Sequence, residues 1–327
     1  MIRPIIIKLS GLCVLSTVLM VLTLSKSRQV MTETESRGSY SKYKTLEINS
    51  LPENEIPSKR KFLKVTGLKV HKSIPDSIII GVSKCGTRAM LEYLRLHPDV
   101  AALNAEIGYY YNDSMWSRGQ DWYISQMPDS EPGQITVVKS PDCFQHQDCA
   151  DRIYADNKKT KLLVLLRDPV ERLVSQYMQL RDKHDSFPTF EKWIMDDSSD
   201  QVNIRVSSVT VSAYAVHLVR WLNIFPRKQL HITKSESLRA DPLTEMRSVE
   251  KFLNITPFYS DEDFYYNASR GFYCVRNRLT WKTKCLGKSK GREHIPVKET
   301  ILNKLYAFYR PYNEQLNHLM DIAFDWP

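Results

Sequence analysis

Residues 81–87 read GVSKCGT, two glycines five apart with a lysine, Lys84, inside the loop and Thr87 after the second glycine. A glycine loop between an apolar run and a helical pattern offers backbone N–H groups and a helix N-terminus to an anion. The pattern departs from the G-x-x-x-x-G-K-[ST] phosphate loop, because no lysine directly follows Gly86. Two more cations, Lys139 and Arg167, stand at the ends of other apolar runs. The strand-end aspartate that would hold Mg²⁺ in a kinase or ATPase is missing, since Arg167 takes its place and Asp168 suits a helix cap. Together these residues point to a metal-free site for a phosphate-bearing ligand.

Such a site needs a scaffold. Residues 77–82, 135–139, 161–166 and 230–233 are short, mostly unbroken apolar runs, each followed by a helical pattern. That alternation predicts an α/β fold, a parallel sheet buried on both faces by helices. Ligands of such sheets bind beyond the carboxyl ends of the strands, which brings Lys84, Lys139 and Arg167 to one crevice. After the third run, Asp168 is placed as N-cap, Pro169 as first helical residue and Glu171 as the far partner of a capping box. Val170, Leu173, Val174, Tyr177 and Met178 then share one helical face, and residues 87–96 form an amphipathic helix behind the glycine loop.

The 327 residues carry 46 Lys and Arg against 37 Asp and Glu, a net charge of +9. This suits a polyanionic partner: nucleic acid, an anionic membrane or an acidic polysaccharide. Residues 1–8 include Arg3 and Lys8, residues 9–25 are uncharged, and Lys26 and Arg28 follow. We read 1–8 as a cytosolic N-terminus, 9–25 as an uncleaved signal anchor, 26–72 as a flexible lumenal stem and 73–327 as the folded domain. Charge on both flanks of the anchor specifies its orientation only weakly. Asn112, Asn254 and Asn267 begin N-x-[ST] triplets, which fit a lumenal location. Of six cysteines, Cys13 belongs to the anchor; Cys274 and Cys285 bracket a polar segment as a disulfide-closed loop would, Cys143 and Cys149 are spaced for a smaller ring, and Cys85 is left over. No Cys/His cluster has metal-ligand spacing, so no metal is expected. Tyr109, Tyr110 and Tyr111 could stack on sugars but more commonly such residues fill a core; His217 and His231 lie in apolar surroundings and read as structural.

From residue 75 to 326 the chain resembles the Golgi sulfotransferases, most closely the heparan sulfate glucosamine 3-O-sulfotransferases. The resemblance rests on GVSKCGTRAMLEYLRLHPDV (81–100), WYISQMP (122–128), VVKSP (137–141), LLRDPVERLVSQY (165–177), FPRKQLHI (225–232), GFYC (271–274), KGREH (290–294) and FDW (324–326). It implies a sulfotransferase fold and the co-substrate 3'-phosphoadenosine 5'-phosphosulfate (PAPS). Lys84, Cys85, Gly86, Thr87 and Arg88 match the 5'-phosphosulfate loop, with Lys84 neutralising the leaving oxygen, and Arg167 and Ser175 match the 3'-phosphate site. Tyr273, Lys290, Gly291, Arg292, Glu293 and His294 match a later cofactor segment; Lys139 matches an active-site lysine, and Cys274–Cys285 the family disulfide. Glu106 falls at the catalytic base, which would take the proton of the sugar hydroxyl. The implied setting is a single-pass type II Golgi membrane protein acting on heparan sulfate, with no metal and no nucleic acid.

Three departures stand out. Gly108 replaces a family histidine that contacts acceptor and base, PDCF at 141–144 lacks the family's aromatic, and Cys85 replaces a glycine. The alternatives these leave are a glycosaminoglycan-binding protein with impaired catalysis, or a sulfotransferase acting on another sugar position or on tyrosine.

Overall fold

The computed structural model describes residues 69–278, 280–287, 291 and 294–327. The four apolar runs become strands, and a fifth joins them: β1 (Ser77–Gly81), β2 (Val100–Ala102), β3 (Ile135–Lys139), β4 (Lys161–Leu166) and β5 (Leu230–Lys234). They form one parallel sheet in the order β2-β3-β1-β4-β5. Ile78 lies opposite both Val138 and Leu162, and Ile78, Ile79 and Ile80 are wholly inaccessible. Burial on both faces removes the alternation of a surface strand, which is why these runs are continuously apolar. The edge strand β2 has only three residues, too few to show a period.

Helices α1 (Thr87–Leu94), α2 (Asp113–Trp116) and α3 (Gly119–Ser125) precede β3, and α4 (Cys149–Asp156) follows it. Beyond β4 come α5 (Pro169–Arg181), α6 (Phe190–Ile194), α7 (Ser207–Val211) and α8 (Tyr214–Ile224). Then α9 (Ser235–Ala240) and α10 (Pro242–Leu253) follow β5, and α11 (Glu299–Met320) ends the fold. The predicted face of α5 is buried as expected, packing with Leu305 and Tyr309 of α11 in a cluster separate from the main core. Each such side chain contributes on the order of 1.5–3 kcal/mol when withdrawn from water. A second, antiparallel sheet, β6 (Phe264–Asn267), β7 (Phe272–Arg276) and β8 (Thr283–Lys284), was not predicted.

Asp168 caps α5 as expected, accepting from Val170 N and Glu171 N, and Pro169 begins the helix. The capping box does not form. Glu236 Oε1 takes the Asp168 N–H at 2.9 Å, and Glu171 turns to Arg167 and His294, because a charged partner outweighs one more neutral bond. Just ahead of β1, His71 and Ser130 exchange backbone hydrogen bonds of 3.0 and 2.8 Å. The anchor at 9–25 and nearly all of the stem lie outside the described residues. Among the described residues no helix is long and apolar enough to cross a membrane. Both spaced cysteine pairs are disulfides, Cys274–Cys285 and Cys143–Cys149.

Candidate active site

β1 and β4 lie side by side, and the chain leaves them toward opposite edges of the sheet. Their carboxyl ends therefore form the switch point at which open parallel sheets hold ligands. A cavity of about 850 Å³ opens there, and Lys84, Lys139 and Arg167 all line it. The convergence inferred from the strand ends is what the tertiary structure contains.

The loop between β1 and α1 turns on two left-handed residues, Lys84 (φ 78°) and Gly86 (φ 89°). Gly86 is the N-cap of α1 and brings no side chain, so the first turn of the helix has no side-chain cap. Gly86, Thr87 and Arg88 stand at the cavity wall, where those amides and the helix dipole favour an anion. A Cβ on Gly86 would meet nothing closer than Leu165 Cδ2 at 3.7 Å, so the glycine is needed for its φ, not for room. Lys84 Nζ donates to Gln179 Oε1 at 2.7 Å, which holds the ammonium between the loop and α5. Cys85 points the other way. Its thiol is buried 3.7 Å from the Tyr214 hydroxyl, burial pushes it up to about 11, and only its backbone belongs to the loop.

At the end of β3, Lys139 is 4% exposed and paired with Glu106, whose side chain is 43% exposed. The sheet thus fixes a buried ammonium, and that ammonium fixes a carboxylate facing the cavity. Arg88 secures the approach to Glu106 by donating to Asn104 Oδ1 (2.6 Å) and Asn104 O (3.2 Å) while pairing with Glu92 (2.6 Å). At the end of β4, Arg167 Nη2 meets Glu171 Oε2 at 2.9 Å, and His294 Nδ1 lies 3.0 Å from the same oxygen. The His294 hydrogen bond, aided by Arg167 and opposed by burial, holds the Glu171 carboxyl below its usual range. The small sheet lines the cavity with Tyr273, Cys274 and Lys284, and Cys285 and Gly291 line it from beyond β8; Tyr93 OH donates to Tyr273 O at 3.3 Å, and Lys284 pairs with Glu92 at 2.9 Å.

Of the residues singled out in the sequence, Lys84, Gly86, Thr87, Arg88, Glu106, Lys139, Arg167, Ser175, Tyr273 and Gly291 share this one cavity. His294 acts through Glu171 and does not line the wall, whereas Lys290, Arg292 and Glu293 lie outside the described residues. Asn112 and Asn254 are exposed and Asn267 is half-buried; Asn112 also caps α2. Tyr109 and Tyr110 are core residues, Tyr109 stacking on Tyr123 with centroids 4.0 Å apart. His217 and His231 are structural positions, the first bonded to Thr210 O at 3.0 Å and the second packed on Phe252.

Sequence reasoning missed Arg172, which is 1% exposed and lines the cavity. It donates to Ser212 Oγ (2.6 Å), Ser208 O (2.7 Å) and Ser83 O (3.4 Å), so neutral oxygens leave its charge directed at the site. Its signal was an arginine between apolar positions of the α5 face. Asp142, Gln145 and Gln179 were missed as well. The site can hold a ligand with two separated anionic groups, one at Lys84 and the α1 amides and one at Arg167, Arg172 and Ser175. It places a carboxylate where a hydroxyl could give up its proton.

Comparison with known proteins agrees. A sulfotransferase domain profile matches residues 74–317. Heparan sulfate glucosamine 3-O-sulfotransferase 5 of Mus musculus is 41% identical over 260 residues, 78% of this chain and 75% of the relative. Heparan sulfate glucosamine 3-O-sulfotransferase 6 of Mus musculus is 38% identical over 270 residues, 81% of this chain and 78% of the relative. A crystal structure of a sulfotransferase from Alicyclobacillus acidocaldarius superposes with a TM-score of 0.58 at 20% identity, covering 77% of this chain and 98% of that one; it shares the fold.

Proposed function

Because the chain belongs to the sulfotransferases, and within them to the heparan sulfate glucosamine 3-O-sulfotransferases, we propose that it sulfates the 3-hydroxyl of glucosamine units in heparan sulfate, using PAPS. The observation that carries this reading is one cavity uniting the uncapped α1 turn, three strand-end cations and the Glu106–Lys139 pair. The donor set suits PAPS, which has an anionic group at either end of a nucleoside. When bound, PAPS supplies the sulfuryl group. Lys84 and the amides of Gly86, Thr87 and Arg88 hold its phosphosulfate end, with Lys84 placed to neutralise charge on the oxygen that leaves. Arg167 and Ser175 hold the 3'-phosphate, backed by the charge of Arg172, and Tyr273 and Gly291 close over the nucleotide. Glu106 takes the proton of the acceptor hydroxyl, and the ion pair with Lys139 aims that carboxylate.

Residues 9–25 anchor the chain as a single-pass type II protein of the Golgi membrane, with the domain in the lumen. The uncharged N-terminal run, the exposed sequon asparagines Asn112 and Asn254 and two disulfides support this location. Protein made in animal cells should then shift on a gel after N-glycosidase treatment. The function is tested by incubating the protein with labelled PAPS and heparan sulfate and analysing the product disaccharides. Label at the 3-hydroxyl is the expected result; label at another position would overturn the acceptor assignment, and chain binding without label would favour a glycosaminoglycan-binding protein.

A further inference from the structure

The small sheet carries a surface that the site above does not use. Tyr265 of β6 is 43% exposed, and Trp281, in the turn between β7 and β8, is 60% exposed. Between them lies Arg276 of β7, its guanidinium carbon 5.2 Å from the centroid of the Tyr265 ring and 5.8 Å from that of the Trp281 ring. Strand pairing brings these side chains together. Tyr265 stands opposite Cys274, Arg276 is two residues on and so on the same face, and Trp281 precedes Thr283, the partner of Arg276, by two residues.

No burial holds the tryptophan there. Trp281 has φ 53°, a left-handed conformation that a bulky residue adopts only at a cost, yet its ring stays in solvent. The turn that presents it is fixed. Lys282 O accepts from Asn277 N (3.0 Å), Asn277 Oδ1 accepts from Thr280 N (3.0 Å), and Arg278 binds the buried Asp263 (2.8 Å) and Phe258 O (2.8 Å). The Cys274–Cys285 disulfide closes the same hairpin at its base. Two ring faces around one cation are therefore preformed, which keeps the ordering cost of binding small.

Arg276 pairs with no carboxylate among the described residues, and Lys282 beside it is exposed. The patch also continues the cavity. Cys274, Val275 and Lys284 line that cavity, and Trp281 is three residues, roughly 10 Å of extended chain, beyond Lys284. An occupant of this patch must offer flat apolar faces to the rings and an anion to the guanidinium. An acidic polysaccharide offers both: the C–H faces of its sugars pack on aromatic rings, and its carboxylate and sulfo groups suit the planar fork of an arginine.

Resting on the function proposed above, we infer that Tyr265, Arg276 and Trp281 form a second binding site for the acidic polysaccharide, which grips a stretch of the chain outside the cavity while the reacting unit lies at Glu106. The site adds affinity for long chains and leaves the chemical step alone.

The test uses the full chain with Tyr265→Ala, Arg276→Gln and Trp281→Gly. The last removes the ring and suits the left-handed backbone, so its Tm should not fall. With labelled PAPS, each variant should raise KM for long heparan sulfate by about tenfold, the weight of one aromatic or cation–π contact to a desolvated partner. Neither kcat, nor KM for a heparan tetrasaccharide, nor affinity for PAP should change. Binding to immobilised heparan sulfate, measured without PAPS, should weaken by a like factor. An unchanged long-chain KM overturns the inference, as does a tetrasaccharide KM that rises in step, which would assign these residues to the cavity. A dimer of the unaltered chain that Trp281→Gly dissolves overturns it too, because the patch would then be covered by a second copy. Absence of label from the unaltered chain would overturn the sulfotransferase reading, and immobilised-chain binding would still decide this site: weakened in the variants, the site stands; undiminished, it falls.

Discussion

Replacing Glu106 by glutamine separates the proposed role as base from the role as counterion of Lys139. The side chain keeps its length and one amide oxygen toward Lys139, so the only losses are the charge and the capacity to take a proton. The Lys139 ammonium is 4% exposed, but the Glu106 carboxylate is 43% exposed and screened by water. The lost ion pair should therefore cost no more than about 1 kcal/mol, not the several expected of a fully buried pair. In a domain of this size that is a fall in Tm of roughly 2–4 °C. The loss of transfer should be far larger, about 10²- to 10⁴-fold in kcat, the usual range for a general base. Thermal unfolding, PAP titration and label transfer together form the assay, with Lys139→Met and the double variant alongside. If Glu106 only balanced Lys139, the double variant would recover the activity of Lys139→Met. Equal transfer in those two proteins, or near-normal transfer by Glu106→Gln alone, would refute the assignment.

Gly86→Ala should lower stability by about 1–2 kcal/mol through its left-handed φ of 89° alone, since the space is open, and should weaken PAP binding. Gly119→Ala is the control: φ is 81° and nothing lies within 4 Å, so PAP affinity should hold while stability falls similarly. Burial, with the charge of Arg227, pushes His231 down from 6.5 to about 4. The unfolded chain therefore binds the proton first, and this contribution to stability, full above pH 6.5, is lost as pH falls toward 4. Urea unfolding at pH 7.5 and 5.5 should show the unaltered chain losing about 1 kcal/mol that His231→Leu retains, and parallel pH slopes would contradict this. Cys285→Ser opens the Cys274–Cys285 loop, which should cost about 2–3 kcal/mol and weaken PAP binding together, because both cysteines line the cavity. Unchanged affinity would mean that the small sheet does not shape the nucleotide end.

What the sequence determined by itself was local or periodic. Runs such as KLLVLL announce strands buried on both faces, Asp168-Pro169 announces the start of α5, and the basic residues closing those runs must meet wherever the sheet is parallel. The glycine loop, the three cations and both cysteine spacings were legible for that reason. Hidden were the partnerships made by folding across distance. Glu106 meets Lys139 from a loop 33 residues earlier, Arg172 draws its oxygens from the β1 loop, α7 and the C-cap of α7, and Glu171 abandons its helix cap for a histidine near the far end of the chain. No periodicity encodes a contact of that kind, because each side chain settles according to the charge and room that the other elements leave it. The tertiary structure alone decided that Tyr111 fills the space above Gly108 and that Asp142 lines the same cavity as Glu106.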